Sequence, residues 1–195
     1  MPIGAGKMRV GVLAIQGSVE EHIDKLKRLD GITPVEAKDK ETLKSIDALI
    51  LPGGESTAIG KMLNDFDLKD VIIDLYRSGA PIWGTCAGMI LMAKHIVNDD
   101  KVHLGIMDIK VRRNAYGSQL DSFTTKLSMP DVSKDEIDAV FIRAPYIEDV
   151  GKNVKVLSRY NGKIVAAREG NLFATSFHPE LTDDLSFYKY FLGLQ

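Results

Sequence analysis

Pro81-Ile82-Trp83-Gly84-Thr85-Cys86-Ala87-Gly88-Met89-Ile90-Leu91-Met92-Ala93-Lys94 runs from a short apolar strand, through a glycine-framed turn, into a helix-like stretch. Gly-x-nucleophile-x-Gly between strand and helix is the layout of a nucleophile elbow, here with sulfur in place of a hydroxyl. The turn is tight, so a side chain at position 84 or 88 would meet the adjoining strand or helix. The layout also sets the thiol at a helix N-terminus, where partial positive charge favours the attacking thiolate. Cys86 is the only cysteine in 195 residues. A lone cysteine is by default a small buried hydrophobe; the flanking glycines move the reading toward a nucleophile.

Working upstream, Arg9–Ile15 reads as a buried strand, and Val19, Ile23, Leu26 and Leu29 recur at helical spacing. Residues 34–37 suggest a second strand, and 48–51 a third that ends at Pro52-Gly53-Gly54. Val71, Ile72, Leu75 and Tyr76 mark a helix before the strand into Cys86. This alternation predicts an α/β fold whose central sheet is mostly parallel, with helices on both faces. Sites in such sheets lie beyond the carboxyl ends of the strands. Those ends are Gln16-Gly17, Gly53-Gly54-Glu55-Ser56 and Cys86.

Downstream the pattern turns β-rich, with runs at 105–112, 123–127, 139–143, 154–159, 163–168 and 172–177. Asn161-Gly162 is a hairpin turn signal. A last helix is expected after Thr182, with Asp183 and Asp184 in its first turn. No linker or repeat divides the chain, so residues 1–195 are read as one domain with a small antiparallel extension and a flexible lead-in over 1–8. The lead-in contains Gly-Ala-Gly-Lys but no full phosphate-loop pattern.

Composition narrows the chemistry. Hydrophobic residues are 45%, charged residues 27%, and the formal net charge is −2, which gives no basic footprint for nucleic acid. No apolar run approaches the ~20 residues of a membrane span, and the N-terminus lacks the apolar segment of a signal peptide. One cysteine excludes an intrachain disulfide framework and suits a reducing cytoplasm. No polar cluster has metal-ligand spacing, so neither metal nor cofactor is expected.

A cysteine nucleophile needs a base and a group that orients it. His22 falls in the first helix, His95 on the helix after Cys86 and His103 in a polar loop; these three read as structural or solvated. His178 ends a strand and is followed by Pro179-Glu180. In extended backbone positions i and i+2 project to one side, so Glu180 is placed to accept from the imidazole and set its tautomer. The Ala87 amide is one oxyanion donor by the elbow's geometry. The Gly53-Gly54 loop can supply the second.

These residues resemble the class I, triad-type glutamine amidotransferases, which implies their three-layer flavodoxin-like fold. Several ordered blocks narrow the resemblance to the glutaminase subunits of pyridoxal 5′-phosphate synthase: 11–17 with Glu21-His22, 51–57, Arg113-Asn114-Ala115-Tyr116-Gly117, 141–145 and 176–182. It spans about residues 9–184. The resemblance implies hydrolysis of L-glutamine to glutamate and ammonia, with Cys86 as nucleophile, His178 as acid/base and Glu180 as its orienter. It implies glutamine contacts at Gly54, Glu55, Ser56, Arg113, Ile142 and Arg143, with Arg113 or Arg143 suited to the α-carboxylate. It implies a separate synthase (lyase) subunit as protein partner in a hetero-oligomer. Gln16, Glu21 and His22 are candidate interface positions. Glutaminase subunits serving histidine, anthranilate or purine synthesis share the triad but not the Arg-Asn-x-Tyr-Gly and Phe-Ile-Arg-Ala-Pro blocks in this form. A non-catalytic module on the same fold would usually have lost Cys86, His178 or Glu180.

Overall fold

The structure is a computed structural model and describes residues 7–113 and 122–194. Most of the expected lead-in, and Asn114 to Gly117 of the Arg-Asn-x-Tyr-Gly block, lie outside the described residues. In chain order the elements are β1 (Met8–Leu13), α1 (Val19–Leu26), β2 (Ile32–Ala37), α2 (Lys40–Lys44), β3 (Ala48–Leu51), α3 (Ser56–Asp65), α4 (Lys69–Arg77), β4 (Ile82–Thr85) and α5 (Ala87–Met92). They continue with β5 (Ala93–Ile96), β6 (Met107–Arg112), β7 (Ser122–Leu127), β8 (Ile137–Ile142), β9 (Tyr146–Val150), β10 (Lys155–Tyr160), β11 (Lys163–Glu169), β12 (Leu172–Thr175), a 3-10 turn at Pro179–Leu181 and α6 (Ser186–Leu192).

Among the described residues a ten-stranded sheet runs β2-β1-β3-β4-β12-β11-β9-β6-β5, with β10 paired to β11 and β7–β8 forming a separate hairpin. The first five strands in that order pair in parallel. β12, β11, β9 and β6 then pair antiparallel in succession. The parallel half is apolar on both faces, with every residue of β3, β4 and β12 buried. Strands covered on both sides have this continuous character. One apolar cluster, with Leu49, Leu63, Ile72 and Met92, lies on one face; the other, with Trp83, Phe173, Phe187 and Phe191, lies on the opposite face. The mostly parallel sheet with covered faces follows from the strand–helix alternation. The antiparallel half is larger than the small extension expected.

Several boundaries differ from the sequence reading, each for a physical reason. β1 starts at Met8, which pairs with Ile32. The helix after Cys86 stops at Met92, and Ala93 turns extended (φ −63°, ψ 137°) so that β5 can pair with β6. His95 therefore sits on a strand and not on that helix. β9 carries Glu148 and Asp149 on an otherwise half-buried strand, which masks its periodicity. α6 begins at Ser186, four residues past Thr182, because Thr182 closes the 3-10 turn and Asp184 accepts from the Ser186 amide at 2.8 Å. At the β10–β11 hairpin, Asn161 (φ 48°) and Gly162 (φ 79°) take the left-handed pair that a two-residue turn requires.

Candidate active site

β4 delivers Cys86 to the carboxyl edge of the sheet in a strained conformation, φ 52° and ψ −107°. A non-glycine residue at positive φ costs roughly 1–2 kcal/mol. The Cys86 amide bonds to the Thr175 carbonyl at 2.8 Å, which ties the turn to β12. The two glycines are there for space. A Cβ on Gly84 would lie 2.5 Å from the Gly88 carbonyl group, and one on Gly88 would lie 2.0 Å from the Leu51 carbonyl oxygen. Gly88→Ala is therefore expected to destabilise the protein by about 3 kcal/mol. The overpacking term outweighs the roughly 1 kcal/mol that alanine gains over glycine within a helix. Urea unfolding measures it, and an unchanged or higher midpoint would refute the steric account.

β12 runs parallel beside β4, Thr175 opposite Thr85, so His178 arrives three residues further along, next to Cys86. His178 Nδ1 lies 2.5 Å from Glu180 Oε1, and His178 and Cys86 line the same cavity. The pairing expected of His178 and Glu180 is present, but not by the expected route. Pro179 does not hold the chain out of a helical path; it is the first residue of the 3-10 turn, where a missing N–H costs nothing. The turn, not a continued strand, brings Glu180 back under the imidazole.

Burial opposes a charge on His178, but interaction with the Cys86 side chain, the hydrogen bond to Glu180 and the Glu180 charge outweigh it and push its pKa up to about 10. The ring therefore carries its proton at neutral pH. Burial raises the pKa of Glu180; its hydrogen bond to His178 and the field of His22 offset this and leave it lowered. Glu180 is buried, and Ser18 Oγ also donates to its Oε1 at 3.2 Å.

A cavity of about 560 Å3 opens on this edge. Its wall includes Cys86, His178, Gly53, Gly54, Glu55, Ser56, Ala87, Arg113, Ile142 and Arg143. These are all the residues expected at the site except Glu180, which stands behind His178. Gly53 must be glycine because a Cβ would lie 2.6 Å from His178 Cε1. Gln16 Oε1 accepts from the Glu55 amide at 2.9 Å, which steadies the loop beside Cys86.

The Glu55 carboxylate caps α3, accepting from the Thr57 and Ala58 amides at 3.1 and 2.7 Å. Slight burial raises its pKa, and those two amides and Arg113 lower it by more. Arg113 lies 3.8 Å from Glu55 Oε1 and 3.7 Å from Asp99 Oδ2. Arg143, just past β8, adopts φ 45°; strain of this kind gathers where a side chain must be aimed.

Sequence reasoning did not single out Ser18, Ile90, Pro145 or Leu181, which also line the cavity. Gln16-Gly17, already recognised as a strand end, was the available signal for Ser18. His22 is neither solvated nor an interface position: it is fully buried under the site, 3.6 Å from Glu180 Oε2. His103 is half-buried against Gly60. Among the described residues no group of three or more His, Cys, Asp or Glu is arranged to hold a metal ion, and no helix is long and apolar enough to cross a membrane.

A strained thiol, a protonated imidazole and a buried carboxylate at a cavity fit acyl transfer through a covalent thioester. Comparison with known proteins bears on which one. The profile of the SNO glutamine amidotransferase family matches residues 12–194. The chain is 75% identical over 187 residues to the pyridoxal 5′-phosphate synthase subunit PdxT of Thermoanaerobacter sp. (strain X514), covering 96% of this chain and 99% of the relative. Among solved structures, a glutamine amidotransferase superposes with a TM-score of 0.88 at 43% identity, covering 94% of this chain and 97% of that one. The structure of PurLQS from Thermotoga maritima superposes with a TM-score of 0.75 at 17% identity, a likeness of fold alone.

Proposed function

The chain belongs to the SNO glutamine amidotransferase family, and on that premise we propose that Cys86, His178 and Glu180 hydrolyse L-glutamine to L-glutamate and ammonia. The ammonia passes to a pyridoxal 5′-phosphate synthase subunit that docks on this chain. The observation that carries the reading is the 2.5 Å contact of His178 Nδ1 with Glu180, which leaves the other ring nitrogen to Cys86 at the cavity wall.

The Cys86 sulfur, its proton held by His178, adds to the side-chain carboxamide carbon. The negative charge that develops on oxygen falls to backbone amides at Ala87 and the Gly53-Gly54 loop. His178 gives its proton to the departing nitrogen, because an amide anion is too basic to leave. Ammonia departs and a glutamyl thioester remains. Water, deprotonated by His178, then adds to the thioester; its collapse releases glutamate and returns the proton to the sulfur–imidazole pair. In this reading Ser56 and the Glu55 carboxylate take the α-amino end of glutamine, Arg113 and Arg143 take its α-carboxylate, and Ile142 takes the methylenes; that all five line the cavity supports it.

Docking is supported by the subunit name of the 75% identical relative. It is supported too by the exposed apolar side chains of Ile142 and Leu181 at the cavity rim. Free ammonia would otherwise be lost to solvent. A cytoplasmic location is supported by the need to keep a single working thiol reduced. The test is glutamine-dependent pyridoxal 5′-phosphate formation with the cognate synthase subunit. Glutamine hydrolysis by the isolated chain is expected to be low and to rise at least ~10-fold on adding that subunit, the gain of completing a site by closure. Full activity of the chain alone would refute the gating, and no labelled nitrogen in the product would refute the transfer.

A further inference from the structure

Glu180 uses one carboxylate oxygen on His178 and Ser18, while its other oxygen, Oε2, is buried with no hydrogen-bond partner among the described residues. A buried carboxylate oxygen left in this state is costly. Nε2 of His22 lies 3.6 Å from it. That distance is too long for a hydrogen bond as it stands, although contacts of this kind tighten in the working complex.

His22 is held from behind. Its Nδ1 lies 2.7 Å from the Tyr188 hydroxyl on α6, and its Nε2 lies 3.3 Å from Thr85 Oγ1 on β4, one residue before Cys86. The Trp83 ring meets it edge-on with centroids 5.9 Å apart. Burial, and then the Glu180 charge, push the Tyr188 pKa well up, so the phenol keeps its proton and has it available for Nδ1, 2.7 Å away. Burial lowers the pKa of His22, the Glu180 and Glu21 charges opposing and His178 adding to the fall. A neutral ring that accepts at Nδ1 carries its proton at Nε2. That nitrogen has two oxygens in reach, Thr85 Oγ1 at 3.3 Å and the unpartnered Glu180 Oε2 at 3.6 Å.

We propose that His22 is a positioning residue for the triad: anchored by Tyr188, it presents Nε2–H to Glu180 Oε2 and so keeps the other carboxylate oxygen on His178. The inference rests on the triad reading above and adds a layer beneath it, running from Tyr188 through His22 and Glu180 to His178 and Cys86.

The test uses the full chain, in complex with the synthase subunit for kinetics. His22→Leu is expected to lower kcat about 10–100-fold, the scale of losing an outer partner of an active group, with KM for glutamine within about twofold. Removing a donor to the charged carboxylate raises its pKa, so the acidic limb of kcat/KM moves to higher pH. His22→Gln, which keeps an N–H, recovers most of both. Tyr188→Phe, which removes one oxygen, lowers kcat several-fold with the same shift of the limb, and it carries the test if His22→Leu fails to fold. An independent readout is the downfield proton NMR signal of His178 Nδ1–H in the isolated chain, expected to move in His22→Leu and to stay in His22→Gln. That arm needs no activity, so a chain that failed to hydrolyse glutamine would overturn the triad reading and leave this one still decidable. An unmoved signal with unchanged kcat and acidic limb overturns the proposal. So does a His22→Gln variant as impaired as His22→Leu, which would mean the ring only fills space.

Discussion

Replacing Cys86 with alanine is expected to lower ammonia release from glutamine by at least ~10^4-fold, to the background of the assay. Removing the nucleophile of a triad costs about as much as removing the whole triad, because the remaining groups act only through it. The fold should survive. The substitution deletes one sulfur atom from a small buried side chain, and alanine meets the same positive φ that cysteine already tolerates. The thermal midpoint is expected within a few degrees of wild type, on a scale where about 1 kcal/mol moves it by ~2–4 °C. Binding to the synthase subunit should persist, since the sulfur lies inside the cavity. Ammonia assay, thermal unfolding and co-purification measure the three parts. Residual hydrolysis within tenfold of wild type would remove Cys86 from the mechanism.

Replacing Glu180 with glutamine is expected to lower kcat by about 10^4-fold, the scale of loss when the orienting carboxylate of a triad becomes an amide. The shape is kept and the charge is lost. Without the carboxylate the charged form of His178 is less favoured, so its pKa falls from about 10. The new amide group also meets trouble on its far side. With its oxygen toward His178, its NH2 faces the Nε2–H of His22, donor against donor.

Stability should follow pH in a defined way. The raised pKa of His178 contributes stability fully present below its unfolded value near 6.5 and lost as pH climbs through about 10. The lowered pKa of Glu180 contributes stability present above the ordinary carboxylate range and lost on acidification. The gap between wild type and Glu180→Gln in urea unfolding is therefore widest in mildly acidic solution, above the ordinary carboxylate range and below about pH 6.5, and narrows toward both extremes. A gap independent of pH would mean that the pair contributes shape and not charge.

Residues carrying a local constraint were readable without coordinates. Gly84 and Gly88 announce a turn in which a Cβ has nowhere to go, and Asn161-Gly162 announces a hairpin because few other pairs accept two left-handed residues. Pro179 was read for its local rule, and the rule was applied to the wrong neighbour: it starts a 3-10 turn in place of prolonging a strand. His95 was misplaced for a related reason. Met89–Lys94 has helical propensity, but pairing with β6 supplies hydrogen bonds that end the helix at Met92. β9 escaped notice because its buried positions are too few to outweigh two acidic residues.

The sequence by itself determined the strand-to-helix turn that bears Cys86, the alternation that makes the sheet mostly parallel, and the ordered blocks that mark the family. All of these rest on interactions between residues near in the chain, or on patterns repeated along it. Only the tertiary structure decided that β12 lies beside β4, which carries His178 to a cysteine 92 residues earlier. Only it decided that His22, Tyr188 and Thr85, drawn from three distant elements, meet under Glu180. Helical spacing puts His22 on the buried face of α1 with Val19 and Leu26, but what it meets there is set by what packs from elsewhere in the chain, and no periodicity within α1 names a carboxylate.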